Sequence, residues 1–374
     1  MSGLKLTDEV VARSDGKWMR RADLSQHFIS LFNAVDGTYI RSSVIRNGEE
    51  ADEEPFRASF PHLIDVGIMG HCIHGKTGLC RAAGIGCYQS GGMHVAPNMA
   101  LADFMRIADE CSGYTDQFAL VGRGDPDCHE HFEEILAYCR EKRIVPNYTT
   151  SGYAFDAHKA ELSRKYCGAV AVSWYRNTYT NRAISLLLER GVCTNIHYVL
   201  SHRSIDEAIE RLERDDFPEG IHAVIFLLHK PAGQGLIEDM PRRDDPRVER
   251  FFSVAVGRRH PFQIDFDSCS LPGILRYGKT VDSDSVDACE GARFSMYISP
   301  DMRALPCSFD VGGMYAVSLR ENSIYEAWHS DRFEAFRSHM QEACPTCSRR
   351  AACFGGCPLF PEIVLCQRDG QSSP

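Results

Sequence analysis

From Leu63 onward the chain alternates two apolar rhythms. Leu63, Ile64, Val66, Ile68 and Met69 form a nearly continuous run broken only by Asp65 and Gly67, as expected of a parallel strand buried on both faces. Residues 98–111 then place Leu101, Phe104, Met105 and Ala108 on one helical face, with Gly113 just past the end. The alternation continues with a strand at 118–121 and a helix at 131–142, whose Phe132, Ile135, Leu136 and Cys139 recur at i, i+3, i+4 and i+7. A strand at 144–149, a helix at 156–166, a strand at 168–173 and a helix at 180–190 closed by Gly191 follow. A strand at 193–200 leads to Ser204 and Glu207, which have the spacing of a capping box opening a helix through Leu212. The most apolar strand, 223–228, a helix at 247–256 and a last strand at 262–266 complete six β/α units. That order predicts an α/β fold: a partial (β/α)6 parallel barrel, open on one side, with ligands at the C-terminal ends of the strands.

Residues 1–58 break the rhythm. Apolar pieces alternate with charges, predicting a helix end at 28–32, a strand at 38–45, a turn at Asn47 and Gly48, and an acidic linker at 49–54. The stretch is too short and polar for an independent domain, so 1–58 reads as an N-terminal extension, 59–265 as the barrel and 266–374 as a small cysteine-rich α+β domain ending in a polar tail. Roughly 150 residues per domain agrees with this division.

A net charge of −10 and a pI of about 5.8 disfavour nucleic-acid and anionic-membrane partners. No apolar run is long enough to span a membrane. Residues 1–20 are charged throughout and carry no apolar signal core, so a cytoplasmic location is expected. In that compartment the 16 cysteines are reduced. They are then available for metal.

Ten of them fall into metal-like spacings, and an eleventh, Cys269, follows the last barrel strand. Cys289 and Cys307 are C-x17-C, and Cys344, Cys347, Cys353 and Cys357 are C-x2-C-x5-C-x3-C, with Cys366 beyond. Thiolates bind soft metals, and C-x2-C brings two sulfurs to one centre. A second group, Cys72, Cys80 and Cys87, follows the first strand in a glycine-rich loop. Three ligands leave a coordination position open, which suits catalysis rather than structure. Zinc is the competing metal for both groups, as a ribbon at the C-terminus or a knuckle using His71 or His74. The other cysteines, Cys111, Cys128, Cys139, Cys167 and Cys193, read as small buried apolar residues, with Cys128 alone near the strand ends.

The C-terminal pattern resembles the SPASM domain of radical S-adenosylmethionine enzymes. The segment from Ser323 through Trp328 to Arg337 is similar to the helical stretch such domains place between their cysteine groups. Met302 stands where that family usually has glycine. The Cys72 loop resembles the family's cluster loop in position, although its C-x7-C-x6-C departs from the usual C-x3-C-x2-C. The resemblance implies three [4Fe-4S] clusters. One is held by Cys72, Cys80 and Cys87, with its fourth iron taken by S-adenosylmethionine. Cys269, Cys289, Cys307 and Cys357 hold a second, and Cys344, Cys347, Cys353 and Cys366 a third, so that Cys357 crosses over from its own run.

It implies further that Tyr88 flanks the first cluster. Gly124, Asp125 and Pro126, after the second strand, match a motif that receives the cofactor's ammonium group. Ser173 and Asn195 are expected at later strand ends against its carboxylate or ribose. Lys230, Pro231, Gly233 and Gly235 form either a loop near adenine or substrate, or a plain turn. The implied activity is reductive cleavage of S-adenosylmethionine to a 5′-deoxyadenosyl radical that abstracts hydrogen from a substrate carbon. Its electrons come from a donor such as flavodoxin or ferredoxin. A ribosomal peptide is the expected substrate. Oxidation of a small natural product or sugar is the alternative, and a non-catalytic iron–sulfur or zinc protein that binds a partner is the reading of another class. No catalytic side chain is singled out.

Overall fold

The computed structural model describes residues 10–14, 17–23, 26, 28–35, 37–43, 45–46, 49–50, 55–93, 95–278, 281 and 286–366. It opens on an antiparallel sheet of four strands in sequence order, β1 (Val10–Ser14), β2 (Trp18–Asp23), β3 (Phe28–Asn33) and β4 (Tyr39–Ser43). Residues 28–32 are therefore strand and not a helix end. Apolar residues at 28, 29, 31 and 32 fit either period over so short a window, and pairing with β2 and β4 on both sides decides the matter. A short pair, β5 (Ile45–Arg46) and β6 (Glu49–Glu50), follows. The Asn47–Gly48 turn and residues 51–54 of the acidic linker lie outside the described residues.

The barrel strands are β7 (Leu63–Met69), β8 (Gln117–Gly122), β9 (Val145–Thr150), β10 (Val170–Ser173), β11 (Thr194–Leu200), β12 (Ala223–Leu228) and β13 (Gln263–Phe266). Each pairs in parallel with the next. A short helix, α1 (Leu79–Ala82), lies in the loop after β7. The crossover helices are α2 (Leu101–Cys111), α3 (Phe132–Glu141), α4 (Ala157–Tyr166), α5 (Thr178–Glu189), α6 (Ile205–Arg214) and α7 (Pro246–Gly257). This is the expected open, six-unit parallel barrel. In α6, Ile205, Ala208, Ile209 and Leu212 are buried at helical spacing. Ser204 does not close a capping box on α6. Its hydroxyl donates to the Val199 carbonyl at 2.7 Å, and Arg176 and Arg211 hold Glu207 instead.

Beyond the barrel come α8 (Leu271–Tyr277), β14 (Ser295–Ile298), β15 (Arg303–Leu305), β16 (Val317–Ser318), α9 (Ile324–Trp328), α10 (Asp331–Glu342) and α11 (Arg350–Cys353). Strand β14 adds in parallel to β7, pairing Ser295 with Leu63, so the second domain's hairpin continues the barrel sheet into ten strands. The capping box in this chain is on α9. Ser323 accepts from the Glu326 amide at 3.1 Å, and Glu326 accepts from the Ser323 amide at 2.7 Å.

The N-terminal sheet sits at the barrel's opposite mouth. Arg21 makes a buried bidentate bond to Asp116, at 2.9 and 3.0 Å, just before β8. Tyr39 bonds to His62, just before β7. Both partners lie at strand N-termini, which leaves the C-terminal lip free for chemistry.

Candidate iron–sulfur centres at the barrel lip

The loop after β7 carries Cys72, Cys80 and Cys87 to the C-terminal lip. It lies tightly on the turn after β8. A Cβ on Gly124 would come within 2.4 Å of the His71 carbonyl and 3.1 Å of Cys72 Cα, and one on Gly91 would meet the Arg123 carbonyl at 2.2 Å. Only glycine permits that approach. The loop after β12 closes over the third cysteine: the Gln234 amide donates to the Cys87 carbonyl at 3.0 Å, and Gly233, with φ of +59°, leaves no room for a side chain beside Tyr88.

His74, buried inside the loop, joins the thiols to the next strand end. Its Nδ1 lies 3.9 Å from Cys80 Sγ and its Nε2 3.6 Å from Asp125. Burial opposes charge on this ring, yet bonds to Asp125, Cys72 and Cys80 hold it protonated well above the usual histidine range. Cys80 is also 3.5 Å from the Tyr175 hydroxyl. Burial raises the Cys80 thiol pKa, but the His74 and Tyr175 bonds outweigh it and bring the group below its ordinary value. Burial lifts the Cys87 thiol, with Cys80 and Cys72 among its charged neighbours.

Asp125 is buried and accepts from the Ser151 amide at 2.9 Å and the Ser151 hydroxyl at 2.5 Å. Pro126 opens a short 3-10 turn, and Ser173 ends β10 half-buried at the same lip. Tyr88 turns the other way, its ring 4.4 Å from that of Phe309, two residues past Cys307. Asn195 is at the N-terminal end of its strand, not at the C-terminal lip. Strand β11 runs on to Leu200, so Asn195 faces the lower lumen, a cavity of about 550 Å³ that it shares with His197, Gly37 and Thr38. Among the described residues its Oδ1 has no hydrogen-bond partner. Cys128 lies 3.8 Å from Lys159 Nζ, beside the Asp127–Lys159 ion pair.

A second cavity, of about 660 Å³, is lined by Cys269, Cys289 and Cys307 together with Lys230, Asp267 and Phe309. Cys357 reaches the same place: it lies beside Cys269, and both are close enough to Lys230 to feel its charge. Burial pushes the Cys289 thiol up to about 12. The remaining C-terminal cysteines gather apart. Burial lifts Cys353 to about 11, with Cys366 and Cys344 as charged neighbours, and the Cys347 amide donates to the Cys344 carbonyl at 3.1 Å to close the C-x2-C turn. Left-handed backbone at Cys344, Phe354, Gly355 and Gly356 makes this loop compact.

The donor set fits iron–sulfur clusters. Cys72, Cys80 and Cys87 are neighbours, Cys269 lies with Cys289, Cys307 and Cys357, and Cys353 lies with Cys344 and Cys366. Among the described residues, no three His, Cys, Asp or Glu side chains converge closely enough to hold a single ion. Cysteine thiolates are the donor type that holds iron–sulfur clusters. Sequence reasoning assigned no role to Tyr175, and named His74 only as a possible zinc ligand. Position just beyond a barrel strand was the one signal for Tyr175.

Residues 289–353 match SPASM, described as an iron-sulfur cluster-binding domain. A PqqA peptide cyclase of Rhizobium meliloti (strain 1021) is 35% identical over 77 residues, which are 19% of this chain and 20% of that protein. The match thus spans about a fifth of that relative. A PqqA peptide cyclase of Methylocella silvestris is 21% identical over 288 residues, 70% of this chain and 75% of the relative. Streptococcus suis SuiB bound to S-adenosylmethionine superposes with a TM-score of 0.65 at 16% identity, over 94% of this chain and 95% of that one. AnSMEcpe with bound AdoMet gives 0.55 at 16% identity, over 82% and 92%. Residues 289–353 are thus a SPASM-type iron–sulfur cluster-binding domain, and the chain as a whole has the fold of SuiB and anSMEcpe.

Proposed function

We propose that this chain is a radical S-adenosylmethionine enzyme that modifies a peptide. The observation that carries the reading is the gathering of Cys72, Cys80 and Cys87 at the C-terminal lip of the first barrel strand, across the Tyr88–Phe309 contact from a second four-cysteine group. Cys72, Cys80 and Cys87 hold one [4Fe-4S] cluster and leave one iron for S-adenosylmethionine. Together the two supply hydrogen-atom abstraction from an unactivated carbon. Gly124, Asp125 and Pro126 border the cofactor's ammonium group. Ser151 fixes the Asp125 carboxylate, and Ser173 lines the same lip. The glycine-tight loops on both sides pack closely around the half-buried thiols.

Cys269, Cys289, Cys307 and Cys357 form one auxiliary site, and Cys344, Cys347, Cys353 and Cys366 the other. A peptide substrate is supported by the PqqA peptide cyclases and by SuiB, which was also solved bound to the precursor peptide SuiA. A flavodoxin- or ferredoxin-type donor delivers the electrons.

The test is anaerobic reconstitution with dithionite and S-adenosylmethionine. Iron is expected at about 12 per chain, four for each of three clusters, and 5′-deoxyadenosine is expected by chromatography. Stoichiometric zinc, or full iron without 5′-deoxyadenosine, rejects the reading.

A further inference from the structure

Strand β12 ends at Leu228, and two residues later Lys230 turns inward. Its side chain is 2% exposed. The ammonium donates to the Leu228 carbonyl at 2.9 Å, meets Asp267 Oδ2 at 2.5 Å, and lies 4.4 Å from the centre of the Phe309 ring. Asp267 opens the turn that carries Cys269, and Phe309 follows Cys307, so Lys230 touches both segments that present those cysteines. It lines the same cavity of about 660 Å³ as Cys269, Cys289 and Cys307.

A buried ion pair is a weak source of stability, because an apolar pair of similar volume usually serves as well. A lysine taken wholly out of water beside four cysteines therefore calls for a partner other than Asp267 alone. Four thiolates around an iron–sulfur core carry net negative charge, and one-electron reduction adds another unit. A fixed cation nearby stabilises the reduced form more than the oxidised form.

We propose that Lys230 is the built-in counter-charge of the auxiliary cluster held by Cys269, Cys289, Cys307 and Cys357, and that it raises that cluster's reduction potential. The proposal rests on the reading of those four residues as ligands. The step is the gain of one electron from the donor. No bond forms or breaks, and the ammonium keeps its proton in both states. Asp267 has the opposite sign and moderates the effect while holding the lysine in place. Lys230 is thus a positioning residue for charge.

The test uses the full chain with Cys72, Cys80 and Cys87 replaced by Ala, so that only auxiliary clusters contribute. The protein is reconstituted anaerobically, its iron and sulfide are counted, and each midpoint is read by spin resonance during titration with dithionite and mediators. Lys230→Met is expected to keep its iron and lower one midpoint by about 59 mV, a tenfold change for a one-electron couple, leaving the other in place. Lys230→Arg restores the value, and Asp267→Asn moves the same midpoint upward.

If Lys230→Met loses iron, the double variant Lys230→Met with Asp267→Asn, which leaves no unpaired buried charge, is read instead. Its midpoint is expected to fall, because Asp267, 16% exposed, is better screened by water than Lys230, 2% exposed. Unchanged midpoints in an iron-replete variant overturn the proposal. Loss of iron from both variants overturns it as well, since the pair is then structural. Cys269→Ala with Cys307→Ala separates the underlying reading: if that variant keeps all auxiliary iron and its spectrum, the four cysteines hold no cluster, and the ligand assignment fails first.

Discussion

Met302 has a φ of +66° in the turn between β14 and β15, and it is fully buried. Its carbonyl accepts from the Leu319 amide at 2.8 Å, so the turn also holds the chain where it leaves β16. A left-handed conformation costs a non-glycine residue about 1–2 kcal/mol. A buried methionine side chain contributes more, since its truncation to alanine costs about 2–5 kcal/mol. Packing wins, which accounts for methionine where the family usually has glycine. Both Met302→Gly and Met302→Ala are expected to lower the thermal transition of the iron-loaded protein. Glycine is expected to be the milder by about 1 kcal/mol, because it alone relieves the backbone. In an ordinary strand or helix glycine is the worse of the two. A lower transition for Met302→Gly than for Met302→Ala would show that the turn holds no such strain.

Among the elements, the C-terminal cysteine run is divided between two sites. Cys353 lies with Cys344 and Cys366, whereas Cys357, four residues on, lies against Cys269. Gly355 and Gly356, both left-handed at φ of +78° and +82°, turn the chain between them. Cys357→Ala is expected to remove the same cluster as Cys269→Ala. Each single variant, and their double, should then keep about eight of about twelve irons, at four per cluster. Cys353→Ala combined with Cys357→Ala is expected to keep about four. An additive loss in the Cys269 and Cys357 double would place the two residues in different clusters.

Much of this layer was legible in the sequence. Strands β7 to β12 bury one face fully and half-bury much of the other, so most read as apolar runs, whereas β13 lies exposed or half-exposed along its length; cysteine spacing marks the thiol loops. Of the N-terminal strands only β4, inside the strand expected at 38–45, was legible. Arg20, Arg21 and Ser30 interrupt their pattern, and only the pairing of neighbours makes 28–33 a strand. Nor was the docking of β14 on β7, a non-local pairing that no window of sequence contains. His74, Tyr175 and Lys230 were hidden for another reason. A single polar residue past a strand has the same sequence whether it faces a cofactor or a backbone carbonyl.

At the scale of the molecule, the N-terminal sheet is tied to the cluster-bearing domain as well as to the barrel. Arg41 on β4 donates to Glu290 at 2.6 Å and meets Asp287 at 2.5 Å, and its guanidinium lies 3.9 Å from the centre of the Phe294 ring. These residues flank Cys289. Phe28, Ala58 and Phe294 form a small shared core behind the contact. Arg21 anchors the same sheet to Asp116 at the barrel mouth. The two arginines should therefore fail differently. Losing Arg21 strands a buried carboxylate and is expected to cost about 3–5 kcal/mol. The partners of Arg41 retain water, Asp287 being 53% exposed and Glu290 26%, so the cost there is discounted to about 1–2 kcal/mol. Arg41→Met instead loosens the segment that presents Cys289. Under a chelator, it is expected to release about four irons early, with the other clusters following at the wild-type rate. Arg21→Met is expected to lower the thermal transition further but to release its iron in the wild-type order. If Arg41→Met sheds all its iron at one rate, the N-terminal sheet does not hold the Cys289 segment in place.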